Sequence, residues 1–304
     1  MSTERVLSPT LHRNLKRALI LLWCVASASL FLSAIGLTVF GDRVSLSLRG
    51  DQMLLTMGIV ALLSFVAEYV DSSLGMGYGT TLTPMLLLLG FSPLQVVPAV
   101  LVQELISGSL AAAGHHSLGN ADLRFRGRAL RLGVLLGLCG VLGAVMAATV
   151  AVRLPATTIK AITGAIVIAM GVLVVGSGHL RLQFSTWRAG TLGLVASINK
   201  GFMGGGYGPL MTAGQVVIGI GAREAVAITS LSEALTCVGG IAGYVTGGAA
   251  ICWPLAGAMV VGGAVAALLA AATVRAVSAD KLKVAVAAGC FVLGSLTLLR
   301  VVLK

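Results

Sequence analysis

Asp71, Glu104, Lys200 and Glu233 are charged residues placed within or at the edges of long apolar stretches. An ionisable side chain there is costly to hold and by default marks a functional site. Two of these positions sit beside glycine clusters. Asp71-Ser72-Ser73 precedes Gly75-Met76-Gly77-Tyr78-Gly79, and Asn199-Lys200-Gly201 precedes Gly204-Gly205-Gly206-Tyr207-Gly208. The expectation is that helix breaks at each polar triplet and resumes just after the glycines, at Thr80-Thr81 and at Pro209. A proline suits a first helical turn. The free amides and positive dipole end of such a short helix attract anions. Lys200 adds a full positive charge, and Ser72, Ser73, Thr80, Thr81 and Asn199 offer uncharged hydrogen bonds. The substrate-binding set read from the sequence is therefore Ser72, Ser73, Gly77, Tyr78, Gly79, Thr80, Thr81, Asn199, Lys200, Gly205, Gly206, Tyr207 and Gly208, with oxyanion binding as its chemistry. The alternative is that the glycines serve close helix crossing and Lys200 snorkels to an interface.

Asp71, Glu104 and Glu233 form a coupling set, because a carboxyl at membrane depth can take up and release a proton. Asp71 and Lys200 occupy matching positions and could pair while the site is empty. Glu104 and Glu233 have Gln103 and Ser232 beside them, and structural carboxyls that lock helix packing are the other reading. Glu68, three residues before Asp71, shares its helical face and could join either network. His115 and His116 have no carboxylate or cysteine at ligand spacing, so they read as interface histidines and no metal site is expected. Gly75, Gly77 and Gly79 mimic phosphate-loop spacing without the preceding strand or following lysine, which excludes an ATP-driven pump. No nucleophile, base and metal constellation appears, so the chain reads as no enzyme and no cofactor is called for.

The elements that must position these residues repeat. A shift of 129 residues superposes the two glycine clusters and, without a gap, Thr83 on Thr212, Gly90 on Gly219, Glu104 on Glu233 and Gly114 on Gly243. Between 71 and 115 this register gives ten identities in 45 pairs, against roughly four expected from composition; the duplicated glycine cluster and glutamate mark a genuine repeat. Candidate spans run 15–40, 53–70, 80–91, 94–114, 130–150, 156–177, 188–200, 207–219, 225–245, 253–274 and 281–302. The first reads as an uncleaved anchor rather than a signal peptide, because its apolar core is too long and no small-x-small site follows.

Composition agrees: 57% of the 304 residues are hydrophobic and 10% charged, and mean hydropathy is +1.01. Soluble domains carry about 25% charged residues. Forty glycines suit membrane helices that must pack closely. The net charge of +11 lies in short loops, which fits topology and not nucleic-acid binding. An amino terminus in the cytoplasm places 14 of the 21 basic residues on that side, including Arg13, Lys16, Arg17, Arg124, Arg126, Arg128 and Arg131, and leaves the carboxyl terminus outside. Cys24, Cys139, Cys237, Cys252 and Cys290 are scattered singly and read as packing residues.

The expected fold is an all-α integral membrane protein with two inverted-topology helical repeats, each containing a re-entrant or broken helix pair, plus one extra N-terminal transmembrane helix. Its segments are a cytoplasmic stretch 1–14, the extra helix 15–40, and repeats 52–178 and 187–302. Inverted repeats are a construction of secondary transporters, and paired helix breaks are the best sequence pointer to their binding site.

The duplicated glycine clusters, the Thr83-Pro84 and Pro93 to Pro98 stretches, and the paired Glu104 and Glu233 resemble the TauE/SafE sulfite exporter family over residues 52–302. That resemblance implies a multi-pass carrier of the bacterial inner membrane for sulfite, sulfoacetate, thiosulfate or another small organosulfur or carboxylate anion, working by alternating access. The partners expected are the anion and the lipid bilayer, with a homodimer left open. The extra first helix and the Arg-rich loop at 122–131 depart from a minimal family pattern. A cation carrier centred on Glu104 and Glu233, or an anion channel, are the rivals.

Overall fold

The computed structural model describes residues 50–125, 127–176, 185–217, 220–273 and 279–303; the cytoplasmic stretch 1–14 and the extra helix 15–40 lie outside them. Every regular element among the described residues is helical: α1 (Gly50–Leu74), α2 (Tyr78–Leu88), α3 (Pro93–Ser117), α4 (Arg128–Ala151), α5 (Ala156–Gly176), α6 (Thr186–Met203), α7 (Tyr207–Val217), α8 (Ala222–Thr246), α9 (Trp253–Thr273) and α10 (Ala279–Val302). Six are long and apolar enough to cross a membrane: those containing Met53–Leu74, Pro93–Ser117, Arg128–Ala151, Ala156–Leu173, Arg223–Thr246 and Trp253–Ala272. α2 and α7, at 11 residues each, extend only about 16 Å, half of a bilayer core.

The 129-residue register survives in the helix boundaries. α2 maps onto α7 and α3 onto α8 at both ends, and α1 and α6 stop at the matching residues Leu74 and Met203. Packing follows the same rule: α4 lies on α6 and α8, while α9 lies on α1 and α3. α3 runs opposite to α8, its match. The end of α3 and the start of α8 meet where Asn120, Asp122 and Glu224 line one open cavity. At the other end Leu94 of α3 clusters with Val152 and Ala249, which follow α4 and α8. α9 starts beside α1 and α2, where Leu255 and Met259 join Val60, Leu63 and Leu86 to Leu89, and finishes near Asn120, which donates to the Ala271 carbonyl at 3.2 Å.

The helices stop where glycine lets them. Asp71-Ser72-Ser73 and Asn199-Lys200-Gly201, expected as breaks, are helical, and the chain turns only at Gly75, Gly77, Gly204 and Gly206, with φ of 69°, 133°, 72° and 78°. Asp71, Ser72 and Lys200 are tolerated within the last turns because they find partners there; a left-handed residue ends the helix, and glycine adopts it without steric cost. Resumption comes at Tyr78 and Tyr207, two residues earlier than Thr80 and Pro209. α2 then doubles back along α1, its Tyr78 hydroxyl 2.9 Å from Ser64 Oγ. α3 begins cleanly because Pro93 opens it and Gln95 Oε1 accepts the Ser92 amide at 3.0 Å.

Close approach, supplied by small residues, holds the bundle together. Gly133, Gly137 and Gly140 on α4 face Leu231, Leu235 and Thr236 on α8, and Gly143 faces Ser197 on α6. The opposite ridge of α4, Leu138, Leu142, Met146 and Val150, is exposed, as a lipid-facing surface should be. At the centre the two glycine turns cross: Gly79 lies against the backbone of Gly204 and Gly205, and Gly208 against Gly75 and Met76. A methyl at Gly79 or Gly205 would overlap main chain, which cannot rotate away. Gly79→Ala and Gly205→Ala should each cost about 2 kcal/mol or more, read as a lower thermal midpoint in detergent. Gly257→Ala, where a methyl meets nothing within 4 Å, should leave the midpoint unchanged.

Candidate functional site

The crossing point is polar. α1 contributes Glu68, Asp71, Ser72 and Ser73, all buried, and α6 contributes Lys200, wholly buried. α3 and α8 cross where Gly108 approaches the Ser230 carbonyl, which sets Glu104 and Glu233, both buried, near the same point. Lys200 Nζ donates to Glu233 Oε1 at 2.7 Å and is in direct contact with Glu104. One cation from the second half is therefore held by a carboxylate from each half. The short-range partners of Lys200 are Glu104 and Glu233 and not Asp71, which instead accepts the Tyr78 amide at 3.1 Å and caps α2. The reason is geometric: Asp71 reaches the free N–H groups seven residues on, where the positive end of a helix favours a carboxylate.

Glu68 heads a second cluster. Its Oε1 accepts from Ser72 Oγ at 2.6 Å, and its Oε2 from Gln103 Nε2 and Ser107 Oγ, each at 2.9 Å. Gln103 and Glu104 are neighbours in sequence but about 100° apart around the helix, so one serves Glu68 and the other Lys200. A ladder continues from this cluster toward the α3 terminus. His115 Nε2 lies 2.9 Å from the Ser72 carbonyl and its Nδ1 is 3.1 Å from Asn120 Nδ2. An amide donor at Nδ1 leaves Nε2 as the protonated nitrogen, so the ring is a neutral bridge. His115 is fully buried, a correction to its reading as an interface residue: small neighbours let the ring turn inward, where both nitrogens are satisfied. His116 stays half-buried, its Nδ1 accepting the Leu123 amide at 3.2 Å. Tyr244, which matches His115 in the repeat, donates its hydroxyl to the Gly201 carbonyl at 2.9 Å, and Gly201 matches Ser72. Two chemically different residues thus make the same contact in the two halves.

The remaining predicted residues divide. Gly79, Gly205 and Gly208 form the central crossing, as above. The Thr80 and Thr81 hydroxyls turn back to the Gly77 carbonyl at 3.0 and 2.6 Å, and Ser72 is committed to Glu68, so these three offer less to a ligand than expected. Asn199 is half-buried, with Gly206 packed against its Cβ. The Ser73 and Thr83 hydroxyls are buried without a hydrogen-bond partner, although Thr212, the counterpart of Thr83, donates to the Gly75 carbonyl at 2.7 Å and contacts Thr229 at 3.0 Å. Gln103, Ser107, His115, Thr212, Thr229 and Tyr244 were not singled out as site residues. The spacing of four between Glu68 and Ser72, and between Gln103 and Ser107, was the available signal. Among the described residues four carboxyls are buried against one ammonium, and no group of three metal-ligating side chains occurs.

Six apolar spans, two half-length helices that meet at their first turns, and a buried ion triad describe a polytopic helical membrane protein. Comparison with known proteins places it more narrowly. The family model for Sulfite exporter TauE/SafE matches residues 59–297, and the chain belongs to this family. It is also similar to the probable membrane transporter protein YtnM of Bacillus subtilis (strain 168), with 24% identity over 233 residues, covering 70% of this chain and 73% of that protein.

The triad makes a stability prediction. Lys200→Met leaves two buried carboxylates without their cation and should cost about 3–5 kcal/mol. Adding Glu104→Gln and Glu233→Gln removes the stranded charges and should restore most of the thermal midpoint, measured in detergent for all four combinations.

Proposed function

We propose that the protein is a secondary carrier of a small anion, of the sulfite, sulfoacetate, thiosulfate or simple carboxylate class, working by alternating access between two inverted halves, 52–178 and 187–302. The observation that carries this reading is Lys200, wholly buried, at the crossing of two helix breaks. Glu104 and Glu233 hold the Lys200 ammonium, so an oxyanion binds by displacing a carboxylate from Nζ. The unpartnered Ser73 and Thr83 hydroxyls and the first turns of α2 and α7 supply further donors. The antiparallel run of α3 against α8 and the return of α2 along α1 support inverted repeats with re-entrant pairs. Irregular backbone at the first break finds protein partners, with Thr212 donating to the Gly75 carbonyl and Thr80 and Thr81 to the Gly77 carbonyl, as a break at membrane depth requires. The cytoplasmic side is read as the end carrying His116, Arg124 and Arg128, by the positive-inside rule, with the carboxyl terminus outside; the bacterial inner membrane is the location that the family resemblance implies. Buried carboxyls give the carrier a means of coupling to protons, and a homodimer remains compatible with the exposed apolar ridges.

The excess of carboxyls over ammonium groups favours a second reading, a cation carrier centred on Glu104 and Glu233. A thermal-stability screen separates the two. Sulfite, sulfate, thiosulfate, sulfoacetate, taurine, carboxylates and mono- and divalent cations are tested on the native protein and on the variant combining Lys200→Met, Glu104→Gln and Glu233→Gln. At a hundred times its Kd a ligand stabilises by about 2.7 kcal/mol. An anion that stabilises only the native protein is the expected outcome. Stabilisation by cations alone overturns the anion reading in favour of the second.

A further inference from the structure

We propose that Glu68, cradled by Ser72, Gln103 and Ser107, is the proton-binding site of this carrier, separate from the Lys200 triad. This rests on the anion-carrier reading only for its role as a coupling site; the site itself stands on geometry. Four carboxyls are buried among the described residues, and three of them have fixed partners. Glu104 and Glu233 share the Lys200 ammonium, and Asp71 accepts a backbone amide. Those donors cannot become acceptors, so they offer no acceptor to the O–H of a carboxylic acid. The partners of Glu68 are different in kind. A serine hydroxyl both donates and accepts and rotates to suit. With Glu68 ionised, Ser72 Oγ and Ser107 Oγ donate to it, and Ser107 accepts from Gln103 Nε2 at 2.8 Å. When a proton binds at Oε1, the Ser72 hydroxyl turns its hydrogen toward the backbone of its own helix and accepts the new O–H. Gln103 and Ser107 continue to donate to Oε2. Both oxygens of the Glu68 carboxyl therefore keep a hydrogen-bond partner in either protonation state without any heavy atom moving. That is the requirement for a group that titrates in a medium where an unsatisfied polar atom is expensive.

The helices packed around Glu68 contain the following ionisable groups in their buried parts: Asp71 on α1, Tyr78 on α2, Glu104 and His115 on α3, and Glu233, Cys237 and Tyr244 on α8, with Lys200 on α6 beyond them. α9 has no ionisable residue along its length and places Gly263 directly on the Gln103 amide, which fixes that donor. α10 carries Arg300, which donates to the Leu88 carbonyl at 2.7 Å. Among the described residues no cationic side chain contacts Glu68, whose partners are the neutral Ser72, Gln103 and Ser107.

The test is infrared difference spectroscopy of the full-length protein in lipid as a function of pH, following the protonated carboxyl stretch without added anion and with choline as the only cation. The expected result is a band that is lost in Glu68→Gln and kept in Asp71→Asn, Glu104→Gln and Glu233→Gln. Ser107→Ala, which retains the carboxyl and removes one donor to its ionised form, should move the midpoint of that band to higher pH by less than about one unit. Should Glu68→Gln fail to fold, the Ser107→Ala shift decides alone. A band that persists in Glu68→Gln, a midpoint indifferent to Ser107→Ala, or a band abolished by sodium at fixed pH overturns the proposal. Because no anion is present, failure here leaves the anion screen standing, and failure of that screen leaves the band unaffected.

Discussion

Everything in this molecule hangs on backbone touching backbone at Gly79 and Gly205. Two chains can approach so closely only where neither carries a Cβ, and in a bilayer no hydrophobic gain between helices would compensate for a gap. The contact sets the two half-length helices head to head. It also brings the last turns of α1 and α6, with Asp71 and Lys200, within the reach of α3 and α8. Without it the carboxyls of Glu104 and Glu233 would lie at membrane depth with no cation between them.

A near-symmetric frame is put to asymmetric use. The helix ends of the two halves repeat, and so does the contact from the end of α3 or α8 to the carbonyl of Ser72 or Gly201, made once by His115 and once by Tyr244. The charges do not repeat. Where the first half has Asp71 the second has Lys200, and where the first has Glu68 the second has Ser197. The first half therefore has both Glu68 and Asp71 in addition to its Glu104, while the only buried ammonium among the described residues belongs to the second. Breaking the chemical symmetry gives the centre one locus built on Lys200 and one hydroxyl-lined carboxyl locus at Glu68 instead of two copies of either.

The membrane class, the repeat, the paired breaks and the family resemblance were legible because each leaves a mark along the chain: apolar length, a fixed offset, glycine clusters and recurrent Glu104 and Glu233. The position of the breaks was misjudged by a few residues. Polar triplets such as Asp71-Ser72-Ser73 look like interruptions to a hydropathy reading, yet helix ends where φ turns positive, and that happens at Gly75 and Gly204. The short-range partners of Lys200, Glu104 and Glu233, were not read from the sequence. Matching positions in a repeat suggested Asp71 with Lys200, but a pseudo-two-fold relates such residues without requiring them to touch.

The sequence by itself determined that this chain lives in a bilayer, that it contains two related halves, and that both are interrupted near a charged residue, because composition, period and glycine content are properties of the chain. Only the tertiary structure decided which carboxylates hold Lys200, which helices run against one another, that His115 turns inward, and that Glu68 has neutral, reversible partners. Those contacts join residues 33 to 43 positions apart or lie between halves. Such pairings are fixed by how helices cross in space, and no local pattern along the chain records the crossing.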